Sequence, residues 1–276
     1  MAKEQGQLAS SRITLLRIAA SMAIALAIAA LVTGCSLMRD YRSRVHSEQA
    51  FTRGATAAER HDFAAAGKDF AEALRAAPTS ASLYARIGLA YMSRPVMAYA
   101  QIDAVQAERA LPYLRRSIEL DPKQPYLVYL QAIFASLRLG REDEARTLLS
   151  QAAGIFHDDA TALNDIGYLL ANADKLSNQA LPLLERAVEL EPKEGIIVDS
   201  LGWAHYRLRH LDRAAALLER ASRLRSKNAE IEYHLGAVYA DLGRTEDARR
   251  QFRRALEIDR AFLPASAALD QLERQR

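Results

Sequence analysis

Cysteine and histidine are the side chains of this 276-residue chain that could form a covalent attachment or a metal site. The single cysteine is Cys35, so an intramolecular disulfide and a multi-cysteine metal centre are both excluded. None of the six histidines has metal-ligand spacing with a neighbour. His157 precedes two carboxylates, Asp158 and Asp159, but these residues fall at a predicted junction between structural repeats, so we interpret them as a solvated turn.

Composition and motifs argue against catalysis and against nucleic-acid binding. The chain has no Gly-rich phosphate loop, no His-Glu-x-x-His motif and no Gly-x-Ser-x-Gly motif. Its net charge is +3, and since residues 1–34 hold three basic residues and one acidic residue, the remainder is at +1. Residues 35–276 are thus close to neutral and lack the excess of Lys and Arg that nucleic-acid binding requires. We therefore predict a protein that is not an enzyme and that binds no cofactor, metal or nucleic acid.

Cys35 follows a segment with the character of an export signal. The first 17 residues contain three basic side chains, and the next fifteen, residues 18–32, carry no charge. This apolar run is shorter than the roughly 20 residues that a membrane-spanning helix needs, so it fits the apolar region of a secretory signal.

The residues directly before the cysteine, Leu31, Val32, Thr33 and Gly34, resemble the lipobox of bacterial lipoproteins. The resemblance implies cleavage after Gly34 and acylation of Cys35, by chains such as palmitate, which would anchor the protein in a membrane. It predicts a signal peptide at 1–34 and a lipidated cysteine with a polar tether at 35–46. Because Ser follows the cysteine where Asp would favour retention, the expected location is the outer membrane of the bacterial cell envelope, facing the periplasm. A chance cysteine after an uncleaved anchor is the alternative.

An alanine-based pattern recurs along the rest of the chain with a period of about 34 residues. Each copy has Phe or Leu four residues after the alanine, and Ala or Ser three residues later. The copies start at Ala66, Ala110, Ala145, Ala180, Ala214 and Ala248. Leu-Gly or Ile-Gly pairs precede four of them, at 87–88, 166–167, 201–202 and 235–236. Such internal repetition is typical of a solenoid.

This pattern resembles the tetratricopeptide repeat (TPR), a unit of two antiparallel helices. The resemblance predicts an all-α solenoid, a right-handed superhelix of about six repeats over residues 47–262, with a capping helix at 263–276. Gly and Ala are expected where the paired helices approach closely, and Phe or Leu one turn further fills the gap between them. The repeat registers are 47–80, 81–124, 126–159, 160–194, 195–228 and 229–262.

The second repeat departs from the pattern by about ten extra residues. The insert, 92–109, is too apolar for a solvated loop, so it is expected to pack locally or to contact a partner. Pro112 and Pro182 stand two residues after the alanines of repeats two and four, and proline is tolerated in the first helical turn. The second helices of these repeats should therefore begin no earlier than about Glu108 and Ser177.

In the TPR family the first helix of each repeat lines the concave side of the superhelix. Carried over to this chain, the family's groove positions predict an aromatic strip flanked by polar and charged side chains. The predicted partner-binding groove consists of Phe134, Asn164, Tyr168, Asp199, Trp203, Tyr206, Arg207 and Tyr233. Tyr, Trp and Arg often dominate protein interfaces, although Trp203 could equally serve to pack neighbouring repeats. The Lys and Asn clamp by which some TPR proteins grip a C-terminal carboxylate is not reproduced.

The leading hypothesis is a membrane-anchored scaffold that mediates protein–protein interactions in the bacterial envelope, as an assembly, tethering or secretion factor. Its partners would be a protein or peptide in the groove and the membrane through the N-terminal lipid. One alternative is an envelope enzyme accessory or a glycan- or lipid-acting protein with the solenoid as substrate cradle, for which a groove carboxylate such as Asp199 would be essential. Another is a cytoplasm-facing interaction module with an uncleaved N-terminal anchor.

Overall fold

The computed structural model describes residues 37–92, 103–173 and 176–274. These residues form α-helices joined by short turns and contain no strand, which confirms the expected all-α class. The lipobox and Cys35 lie outside the described residues, as does most of the insert, residues 93–102. No helix in the described ranges is both long enough and apolar enough to cross a membrane.

Thirteen α-helices follow one another in the described part of the chain. Their bounds are 37–59 (α1), Phe63–Ala76 (α2), Ala81–Tyr91 (α3), Ala104–Leu120 (α4), Tyr126–Arg138 (α5), Glu142–Ile155 (α6), Ala160–Ala171 (α7), Ala180–Leu190 (α8), Gly195–Arg207 (α9), Leu211–Leu224 (α10), Ala229–Asp241 (α11), Thr245–Ile258 (α12) and Leu263–Arg274 (α13). The chain divides into two compact units between Leu83 and Tyr84. Each predicted repeat register contains one pair of helices, and α13 lies in the predicted capping segment.

Within a pair, a glycine of the first helix faces a large apolar residue of the second. A Cβ added to Gly236 would lie 2.5 Å from Cε1 of Phe252, which is too close for any side chain. In the first unit, Gly54 meets Phe70 in the same way, at 2.6 Å. Three further pairs repeat the arrangement: Gly88 with Leu114, Gly167 with Leu184, and Gly202 with Leu218. The predicted role of small residues at the close approach of paired helices is confirmed, because each glycine makes room for the Leu or Phe opposite.

The turns between paired helices use a left-handed residue. Gly140 and Gly243 have φ of +69° and +72° and occupy this position after α5 and α11. His61 after α1 and Arg209 after α9 hold the equivalent conformation with φ of +60° and +64°. After α11 the turn is closed by Arg244 N–H, which donates to the carbonyl oxygen of Tyr239 at 2.9 Å. Such a closure satisfies carbonyls that the end of the helix would otherwise leave unpaired.

The predicted tether does not match the structure over residues 37–46. This segment is the first part of α1 and is solvent-exposed apart from the half-buried Ser43. The physical reason is that α1 is nucleated by its packed part, where Ser47 Oγ donates to Ala73 O at 3.0 Å. Extending an existing helix adds one hydrogen bond per residue without a new nucleation step.

The predicted start of α4 is also wrong, whereas that of α8 is right. α4 begins at Ala104, so Pro112 lies in its interior. A capping box stabilises the early start, since Gln106 N–H donates to Asp103 Oδ1 at 2.8 Å and the Gln106 side chain accepts from the Asp103 N–H. The ring of Pro112 points to the exposed side, and burial of the opposite face holds the helix together. α8 begins at Ala180, which leaves Pro182 in the first turn.

Candidate partner-binding face

The candidate site is positioned by α7, α9 and α11, which are the first helices of the fourth, fifth and sixth repeats. α9 contacts both of the others. Local capping sets where each of these helices starts. Asp159 Oδ1 accepts from Ala162 N–H at 3.0 Å before α7, and Asn228 Oδ1 accepts from Glu230 N–H at 2.9 Å before α11. Glu194 caps α9 through Ile196 N–H. Because an N-cap fixes the first turn, it also fixes which side chains face the neighbouring helix.

Trp203, the single tryptophan of the chain, lies at the centre of the site. Its indole stacks on the imidazole of His234, with 4.0 Å between ring centroids and 20° between planes. The indole Nε1–H donates to Asn172 Oδ1 at 3.1 Å. The rings of Tyr206 and Tyr233 lie 4.9 and 6.5 Å away. Trp203 is half-buried, so it both joins neighbouring repeats and presents surface to solvent.

A buried polar pair lies beneath the indole. Asp199 is 5% exposed and His234 is 2% exposed. His234 Nδ1 is 3.0 Å from each oxygen of the Asp199 carboxylate and donates to it. A carboxylate that is buried to this extent is stable only when it is hydrogen-bonded, so the two residues depend on each other. Together they fix the plane on which Trp203 stacks.

Two tyrosines extend the site on either side of Trp203. The Tyr168 hydroxyl of α7 donates to Glu230 Oε1 of α11 at 2.9 Å, across the intervening α9. Burial and the negative charge of Glu230 raise the pKa of Tyr168, so it stays a hydrogen-bond donor at any physiological pH. Burial and the Asp241 carboxylate likewise raise the pKa of Tyr206 to about 12. We call Tyr168, Trp203, Tyr206 and Tyr233 the aromatic face.

The structure brings together five of the eight predicted groove residues, namely the aromatic face and Asp199. Arg207 is exposed at the end of α9. Phe134 on α5 and Asn164 on α7 are each 7% exposed, so Phe134 has little surface to offer a partner. Of the eight predicted groove residues, the aromatic face and Arg207 reach the surface, whereas Asp199, Phe134 and Asn164 are buried. That the groove binds a partner stays a prediction.

Sequence reasoning missed His234, the residue that supports Trp203. It stands beside Tyr233 and four residues after Glu230, but the family's groove positions do not include it. A signal was present, because a histidine on an otherwise apolar helical face needs a buried partner. The sequence did not reveal that the partner is Asp199, 35 residues earlier.

The other polar group considered for chemistry, at residues 157–159, lies in an exposed turn as predicted. Asp158 pairs with Arg186 at 2.8 Å and with His157 at 3.1 Å, while Asp159 caps α7. In residues 37–92, 103–173 and 176–274, no cluster of three or more His, Cys, Asp or Glu side chains could hold a metal ion.

Comparison with known proteins agrees with this architecture. Residues 200–261 match the family model of the tetratricopeptide repeat. This stretch runs from the middle of α9 to the end of α12 and includes both Trp203 and His234. A TPR repeat-containing protein of Pseudomonas aeruginosa, PA4667, is 31% identical over 134 residues. The match covers 48% of this chain but 22% of that longer relative.

Solved structures share the fold at low sequence identity. TTC0263, a TPR protein of Thermus thermophilus, is 19% identical and covers 70% of this chain and 98% of its own, with a TM-score of 0.51. MamA from Desulfovibrio magneticus RS-1 is 22% identical and covers 66% of this chain and 96% of its own, with a TM-score of 0.50. Residues 200–261 therefore match tetratricopeptide repeats, and the described helices share the fold of TPR solenoids. Proteins that carry such repeats mediate protein–protein interactions.

Proposed function

We propose that this protein is a lipid-anchored scaffold of the bacterial cell envelope that holds a peptide segment of a partner protein on its aromatic face. The observation that carries the proposal is the alignment of Tyr168, Trp203, Tyr206 and Tyr233 on three successive first helices, each ring half-buried. Aromatic side chains combine a large contact area with few rotatable bonds, so they bind at a small entropic cost.

The polar contacts beneath the face support a binding role. Trp203 is held on one side by His234 and at its edge by Asn172, and Tyr168 is held by Glu230. A side chain that is already fixed loses less entropy on binding than a free one. Asp199, on which the alternative of a substrate-cradling enzyme depends, is buried against His234 and has little surface to offer a substrate. This favours the scaffold over that alternative.

Photo-crosslinking in cells tests the binding role. A photoreactive amino acid replaces Tyr206, and the matched control replaces Ala216, which is exposed on the second helix α10. We expect a discrete adduct from position 206 that is absent from position 216. No adduct from position 206, in a chain whose circular dichroism is native, would exclude the aromatic face as a binding surface.

The proposed anchor rests on the lipobox at 31–34 and on Cys35, and it is tested separately. We expect an alkyne-tagged palmitate supplied to the cells to label the protein, and the Cys35→Ser variant to lose both this label and its place in the outer-membrane fraction. Ser36→Ala is the matched control and should keep the label. An intact mass that retains residues 1–34 would instead favour the cytoplasm-facing module.

A further inference from the structure

The hydrogen-bond donors of the aromatic face are largely used within the protein. The Tyr168 hydroxyl donates to Glu230, and Trp203 Nε1–H donates to Asn172. The Tyr206 hydroxyl donates to Asp241. A partner that brought further acceptors to this face would therefore find few free donors.

Acceptor capacity, by contrast, remains beside the same face in the Glu230 carboxylate. The Glu230 side chain is 49% exposed, and its carboxylate can accept more bonds than the one from Tyr168. Asn164 Oδ1 also accepts no hydrogen bond among the residues that the structure describes, but this atom is closed to solvent and offers nothing to a partner in this conformation.

The charges around the face favour the same conclusion. Of the five carboxylates on α7, α9 and α11, Glu232 is bound by Ser222 of α10 and Arg254 of α12. The other four are Asp165, Asp199, Glu230 and Asp241. Two guanidinium groups adjoin them, those of Arg207 and Arg209, and Arg209 pairs with Asp241. The four carboxylates and two guanidinium groups sum to a formal charge of −2, whereas residues 35–276 as a whole sum to +1. The face is thus locally acidic.

We infer that the segment held by this face is cationic, an extended stretch of a partner protein that carries Arg or Lys side chains. This inference rests on the proposed binding role and names the chemistry of the partner. A guanidinium or ammonium group over Trp203 or Tyr206 gains a cation–π contact and pairs with Glu230. An acidic segment would be repelled by the same carboxylates, and an apolar one would gain nothing from the exposed Glu230.

Because Trp203 is the single tryptophan, its fluorescence reports on the face directly. The probes are three acetylated and amidated nine-residue peptides that are identical except at three positions, which hold Arg, Gln or Glu. We expect the Arg peptide to shift the Trp203 emission of the full chain with a Kd at least about tenfold below that of the Gln peptide. The Glu peptide should cause no shift. The binding of the Arg peptide should weaken as salt is raised from about 0.1 to about 0.5 M, values that span the range over which exposed charges become screened.

Two variants separate this charge effect from a general loss of structure. Glu230→Gln keeps an acceptor for Tyr168 and removes the charge, and we expect it to raise the Kd of the Arg peptide about fivefold. Glu257→Gln, on the exposed side of α12, is the matched control and should leave the Kd unchanged. Selection of random nine-residue peptides on the immobilised full chain should likewise enrich Arg and Lys over Asp and Glu.

Tighter binding of the Gln or Glu peptide, or a selected pool without an excess of Arg and Lys, would overturn the cationic preference. The binding role itself would survive that result if position 206 still gave a discrete crosslink in cells. Absence of both the crosslink and any fluorescence response would remove the inference together with the proposed function.

Discussion

At the scale of single residues, the aromatic face depends on two residues that offer almost no surface to a partner. Asp199 and His234 are buried, and their hydrogen bond holds the imidazole parallel to the Trp203 indole. A binding surface of this kind is built from the inside, because the exposed ring is oriented by the buried pair. Changes to the pair should therefore alter both stability and the surroundings of Trp203.

We expect His234→Ala to lower the free energy of unfolding by about 3 kcal/mol, since it leaves the Asp199 carboxylate buried without its partner. The Trp203 emission should shift to longer wavelength, because the ring that covers one face of the indole is removed. Denaturant titration and fluorescence measure the two effects. The double variant Asp199→Leu/His234→Phe should lose less free energy of unfolding than His234→Ala alone, since no polar group is then left unpaired. If His234→Ala lowered the free energy of unfolding by less than about 1 kcal/mol, the buried Asp199 carboxylate would not depend on His234.

A second buried carboxylate gives a prediction about pH. Glu232 on α11 is fully buried and accepts a hydrogen bond from Ser222 Oγ at 2.9 Å, with Arg254 at 3.3 Å. Burial raises the pKa of Glu232 above its ordinary value, although Ser222 and Arg254 act in the opposite direction. The folded protein therefore holds this proton more tightly than the unfolded chain does. The contribution of Glu232 to stability is present at acid pH and is lost as the pH rises through its folded pKa.

We accordingly expect Glu232→Gln to be more stable than the parent chain at pH 7, with a difference that shrinks as the pH falls toward 4.5, the ordinary value for glutamate. Urea titrations at several pH values measure it. Glu257→Gln, exposed on α12, should show no comparable trend. A stability difference that grows toward acid pH would refute the assigned role of burial.

At the scale of the elements, five of the six described helix pairs have a glycine in the first helix that faces a Leu or Phe of the second. We expect Gly236→Ala to lower the free energy of unfolding by about 1–3 kcal/mol, because the new methyl group would overlap Phe252. The matched control is Gly154→Ala in α6, where a Cβ would meet nothing within 4 Å in the described structure. That change should stabilise by about 0.5–1 kcal/mol through helix propensity alone. If the two substitutions changed the free energy of unfolding equally, α11 and α12 would have room for a methyl group between Gly236 and Phe252.

The left-handed turns give a second prediction at this scale. His61 adopts φ of +60°, a conformation that disfavours side chains with a Cβ. We expect His61→Gly to raise the thermal stability by about 0.5–1 kcal/mol, and Gly140→Ala, at the equivalent turn with φ of +69°, to lower it by a similar amount. Scanning calorimetry measures both. Destabilisation by His61→Gly would mean that the contact of His61 with Phe63 outweighs the backbone strain.

At the scale of the whole molecule, stability in a repeat array is the sum of each pair and its contacts with the next. α13 closes the C-terminal end of the second unit, where Ala265 is fully buried and Leu269 and Leu272 pack against the core of α11 and α12. We expect a stop codon in place of Leu263 to increase hydrogen exchange in α11 and α12, while exchange in α5 and α6 changes little. A uniform increase along the chain would show that the second unit unfolds as a single block instead.

The sequence by itself determined the class of the fold. The spacing of small and large apolar residues describes contacts within one helix pair, and such contacts lie close in the chain, so periodicity alone reveals them. It also placed Tyr168, Trp203, Tyr206 and Tyr233 on first helices. It did not show that residues 37–46 are helical or that α4 contains Pro112, because packing and capping offset the local preferences of those segments.

Tertiary structure alone decided how the aromatic face is supported. Asp199 meets His234 across 35 residues, Trp203 meets Asn172 across 31, and Tyr168 meets Glu230 across 62. The position of one repeat against the next sets these distances, and that position results from the sum of many weak apolar contacts rather than from any short motif. A residue's type limits which bonds it can form, but only the packed array determines which partner lies within reach.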